Sequence, residues 1–63
     1  MATAREIDDA WLRVVAFDET IHQMYPKVRN GDPREVQRLK VMWLARNMAL
    51  EELLKVLETA KLH

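Results

Sequence analysis

Glu19 and His22 stand three residues apart, which on a helix puts a carboxylate and an imidazole on one face. Ferritin-like di-iron bundles use this Glu-x-x-His pair, adding one Glu from each of two further helices. Two copies of the chain would supply two such pairs. Phe17 and Ile21, however, lie on an apolar stripe that turns Glu19 and His22 outward. The stretch expected opposite them carries Arg38 and Lys40 rather than Glu. Solvated side chains at chance spacing are the better reading, so no metal and no other cofactor is expected. Acyl transfer and hydrolysis have little to work with either. The chain contains no Ser and no Cys, its hydroxyls are Thr3, Thr20, Thr59 and Tyr25, and its second histidine, His63, is the last residue. The Asp8-Asp9 pair suits the positive end of a helix better than an acid/base dyad. The sequence predicts no enzyme.

A second constellation is basic. Lys27, Arg29, Arg34, Arg38 and Lys40 surround the one break in the chain and could grip phosphates. No recognition helix follows a short turn there, and no aromatic platform is interleaved. A solvated surface, or contact with the acidic end of a partner, is preferred to nucleic-acid binding. Trp11 and Trp43 read as anchors of a core or interface. Met24, Met42 and Met48 read as gap fillers.

The elements that must position these residues are helices. Thr3 with Glu6 three residues on forms a capping box, and Glu6, Asp8 and Asp9 suit the first turns. Apolar residues then recur at Ile7, Ala10, Val14, Phe17, Ile21, Met24 and Val28, in steps of three and four. Trp11 and Tyr25 widen that stripe on one side, while Leu12 and Val15 begin a second apolar edge. Asn30 or Gly31 can take the left-handed conformation that closes a helix. Asp32 then serves as N-cap, Pro33 as first helical residue, and Glu35 as the capping partner. The second stripe runs through Val36, Leu39, Trp43, Leu50, Leu53, Leu57 and Ala60, flanked by Met42, Met48, Leu54 and Val56. Arg46 interrupts it. Such a polar residue can fix register, although a stem lying on the stripe with its guanidinium in water is the preferred reading.

The fold expected is therefore an all-α antiparallel hairpin in one domain spanning residues 1–63. Helix 1 covers about 4–24 or continues, kinked at Pro26, to 29. The turn is 30–32 and helix 2 about 33–61. Stopping at Met24 would leave about 21 residues, or ~32 Å, against about 29, or ~43 Å, in helix 2. Continuation costs about 3 kcal/mol at the proline, but it keeps Tyr25 and Val28 with the stripe and is preferred.

Sixty-three residues are few for a self-sufficient core, and the absence of cysteine removes disulfides as a staple. Yet 49% of the residues are apolar, which argues against disorder. Association is the staple that remains. Two hairpins packed as a four-helix bundle would hide both edges of each stripe, so a homodimer is expected, with another protein as the alternative cover. Its interface is assigned to Ile7, Trp11, Val14, Phe17, Ile21, Met24, Leu39, Trp43, Leu50, Leu53 and Leu57. Net charge is zero, which opposes wholesale coating of nucleic acid or an anionic membrane. No apolar run approaches a transmembrane span or a signal-peptide core, so a cytoplasmic location is the default and no membrane is expected as partner. Charge is nevertheless segregated. Residues 5–19 carry a net of −3 and residues 27–46 a net of +4. Hairpins laid antiparallel would bring these opposite signs together.

Residues 17–54 resemble the helical oligomerisation segment of phage terminase small subunits and related DNA-packaging proteins. The matching residues are Tyr25-Pro26, Gly31-Asp32-Pro33-Arg34, then Val36, Leu39 and Met42, with Arg46 and Leu50 beyond. The resemblance implies an assembly element of a packaging machine. No helix-turn-helix domain precedes the hairpin here, and Met48-Ala49-Leu50-Glu51 replaces a Leu-Gly-Leu ending, so DNA recognition does not carry over. The function expected is a small self-associating assembly module of phage type. The alternative is a dimeric nucleic-acid-binding regulator using the basic turn end.

Overall fold

A computed structural model describes residues 2–60 as two helices, α1 (Ala4–Arg29) and α2 (Pro33–Ala60). They pack along their whole length as an antiparallel hairpin measuring 47 × 15 × 14 Å. The expected extension of helix 2 to residue 61 lies outside the described residues.

Local chemistry sets the ends. The Thr3 hydroxyl accepts from the Glu6 N–H at 3.2 Å and donates to the Glu6 carboxylate at 3.4 Å, closing the box side chain to side chain. At the other end of α1 the Asn30 N–H donates to the Pro26 carbonyl and the Gly31 N–H to that of Val28. Gly31 takes φ +84°, the left-handed value that glycine adopts without steric cost, while Asn30 stays right-handed. Asp32 caps α2 by accepting from the Arg34 N–H at 2.9 Å. Glu35 does not act as its capping partner. Its carboxylate accepts from Arg38 at 3.2 Å, one turn further along the helix.

α1 runs through Pro26 to Arg29. The missing N–H frees the His22 carbonyl, and both His22 and Pro26 are exposed, so water can satisfy that group. Continuation keeps Val28 half-buried on the stripe.

A seven-residue period describes the packing seam. In α1 it consists of Ile7, Val14, Ile21 and Val28, alternating with Ala10, Phe17 and Met24. In α2 it consists of Leu39, Arg46, Leu53 and Ala60, alternating with Met42, Ala49 and Val56. Every one of these residues is buried or half-buried. This is the knobs-into-holes spacing of a coiled coil. The tightest part is the open half, where Leu53, only 4% exposed, packs with Ala10 and Val14. Small residues there let the helices approach, and the Ala2 N–H reaches the Thr59 carbonyl across the open end.

Candidate association surface

One seam leaves two lateral sides, and in an antiparallel pair the residues four beyond each seam position share one of them. Here they are Trp11, Asp18 and Tyr25 from α1, and Trp43, Leu50 and Leu57 from α2, with Val36 a further seven residues before Trp43. A groove lined by Asp18, Ile21, His22, Tyr25 and Trp43 joins the two helices on this side. The opposite side is polar. Glu6, Asp9, Arg13 and Glu52 line its open half. Thr20, Gln23, Lys27, Glu35 and Arg38 line its turn half. The two flanks therefore differ, one apolar and one polar, while Leu12, Val41, Leu44, Met48 and Leu54 expose further apolar surface on the outer faces of the helices.

The exposures are large for such residues: Trp11 58%, Tyr25 59%, Trp43 49% and Leu57 41%. Total accessible surface is 5317 Å², whereas a compact monomer of 7.4 kDa exposes about 4,200 Å². The excess, roughly 1,100 Å², reflects the elongated 47 × 15 × 14 Å shape of two helices packed on one another alone.

A single ion pair interrupts the apolar flank near its middle. Arg46 Nε donates to Asp18 Oδ1 at 2.9 Å, and the guanidinium lies over the Trp43 ring, 5.7 Å from its centre. Arg46 thus ends on a carboxylate of the other helix rather than in open water, which corrects the reading preferred from sequence. Side-chain exposures of 27% for Arg46 and 44% for Asp18 leave both reachable from outside.

The eleven residues assigned to the interface divide in two. Val14, Met24 and Leu53 are buried within the hairpin, and Ile7, Phe17, Ile21, Leu39 and Leu50 are half-buried. Trp11, Trp43 and Leu57 face outward. Tyr25, Leu12, Val41, Leu44, Met48 and Leu54 are also exposed, although none was assigned. Val41, Leu44 and Met48 announce themselves by spacing, a three-then-four step on the back of α2. Of the basic set, Lys27, Arg29, Arg34, Arg38 and Lys40 are all exposed, and Arg38 is paired with Glu35. Glu19 and His22 are exposed, and among the described residues no three His, Cys, Asp or Glu side chains are grouped to hold a metal. Among the described residues no helix is long and apolar enough to cross a membrane. No protein family, no curated protein and no solved structure matches this chain.

Proposed function

We propose that the protein is a self-associating helical module whose working surface is the apolar flank of the hairpin. The observation that carries this reading is the one-sided exposure of Trp11, Tyr25, Trp43 and Leu57 beside a polar opposite flank. Divided by the Asp18–Arg46 pair, an exposed apolar set of this size is rare on a monomer, and a second hairpin is the simplest cover. The assembly role is of the kind that the terminase-like stretch from Tyr25 to Leu50 implies, a helical building block rather than a DNA reader. Sedimentation equilibrium tests it. Wild type is expected at twice 7.4 kDa, and Trp11→Ser with Trp43→Ser is expected to shift the chain to single copies that remain helical. A wild-type chain sedimenting as one copy up to high micromolar concentration would overturn it.

A second reading uses the turn end. Lys27, Arg29, Arg34 and Lys40 take part in no ion pair among the described residues, so their charge is available to phosphate. Retention on a nucleic-acid matrix that falls steeply with salt, and is lost on Arg34→Ala with Arg38→Ala, is the result that reading requires.

A further inference from the structure

We infer that two hairpins pack antiparallel through the apolar flank, about a twofold axis at the level of the Asp18–Arg46 ion pair. This rests on the self-association reading and adds the arrangement. An isologous contact places each residue against its mirror position about the axis, so a surface built for it is symmetric in sequence about one level. The flank has this property. Trp11 and Tyr25 each stand seven residues from Asp18, so Trp11 of one copy meets Tyr25 of the other. On α2, Trp43 and Leu50 stand three and four residues either side of Arg46, and Val36 and Leu57 stand ten and eleven. The bond between Asp18 and Arg46 places both centres at one height along the rod.

Charge selects the direction. A turn-to-turn pair would also cover apolar residues with apolar residues, but it would stack the two basic turn segments, each +4, on one another. The antiparallel pair lays the acidic first turns, Glu6, Asp8 and Asp9, over Lys27 and Arg29 of its partner. At the axis the two Asp18–Arg46 pairs lie side by side. Only Nε of each Arg46 is bonded to Asp18, and the other guanidinium N–H groups can donate to the partner's Asp18. Slipping the hairpins by a turn would strand these charges against apolar side chains, whereas the direction is set by the segment charges alone.

The chain has no cysteine among its residues, so single-cysteine variants report geometry cleanly. Asn47 and Asn30 are both exposed. Asn47 sits next to Arg46 on the outer rim of the flank and meets its own copy at the axis. Asn30 sits in the turn, about a helix length (~40 Å) from the turn of an antiparallel partner. Thiols held together by a dimer see each other at about millimolar effective concentration, so N47C should oxidise to a covalent dimer on the order of a hundredfold faster than N30C at micromolar protein. Rapid crosslinking of N30C, alone or together with N47C, overturns the arrangement. So does a chain of dimeric mass in which neither variant crosslinks. A wild-type chain of single-copy mass instead defeats the self-association reading itself.

Discussion

Replacing Arg46 by Leu separates what the ion pair does for the fold from what it does for assembly. Arg46 occupies a seam position seven residues from both Leu39 and Leu53. Its side chain is about three-quarters covered, at 27% exposed. Fully burying a Leu stabilises by roughly 1.5–3 kcal/mol. The Arg stem already supplies part of that burial, so the substitution gains about 1 kcal/mol. Against this stands the loss of a half-exposed pair, worth ~0–1 kcal/mol after solvent screening, and of the stack on Trp43, worth ~0.5–1 kcal/mol at such a site. Asp18, 44% exposed, returns to water at little cost. The sum predicts a hairpin within about 1 kcal/mol of wild type, or within ~8 °C in Tm for a chain this small. Urea and thermal unfolding followed by circular dichroism at matched protein concentration would measure it, since association couples stability to concentration. Leu53→Ala, at the next equivalent position and in the tightest packing, serves as the contrast and should cost about 2–4 kcal/mol. In assembly the expectation reverses. In an Arg46→Leu background the selectivity of N47C over N30C crosslinking should fall, because the polar group that pins register is gone. Destabilisation of the Arg46→Leu hairpin by more than about 2 kcal/mol would refute this accounting and assign the ion pair to the fold.

Pro26→Ala restores an N–H to the His22 carbonyl and should stabilise by about 1–3 kcal/mol, read as a higher urea midpoint at unchanged slope; a lower midpoint would contradict a net cost of proline inside α1. Gly31→Ala should cost roughly 1 kcal/mol from its φ of +84° alone, since nothing lies within 4 Å of the added carbon, and Gly31→Asn should cost less. Self-association should weaken several-fold as ionic strength rises from about 0.01 to 0.15 M, because acidic and basic segments face each other over distances that salt screens. Constant or tighter association across that range would remove charge as the selector of direction.

The helix ends could be read from the residues because capping is local. Thr3, Gly31 and Asp32-Pro33 each act within three or four residues of themselves. Glu35 misled the reading for the same local reason, since two partners lay within its reach and Arg38 took it. The seam itself was visible as period. What period could not settle was which apolar edge the second helix covers. On α2 the stripe is wide enough to hold both Leu39–Leu53 and Trp43–Leu50–Leu57, four residues further round, so the assigned interface mixed hairpin core with outer flank. Only pairing against α1 separates them, turning Leu53 in and Trp43 out. The role of Asp18 is not local, because its partner lies 28 residues away. The available signal was two polar interruptions at one height, Asp18 between Trp11 and Tyr25, and Arg46 within its own stripe.

Acrylamide quenching of tryptophan emission, titrated over protein concentration alongside the sedimenting mass, tests the central claim most directly. Trp11 and Trp43, each about half exposed in one hairpin, should be readily quenched in dilute single copies and become protected as the mass doubles. A chain that stays single while both indoles resist quenching would contradict the account.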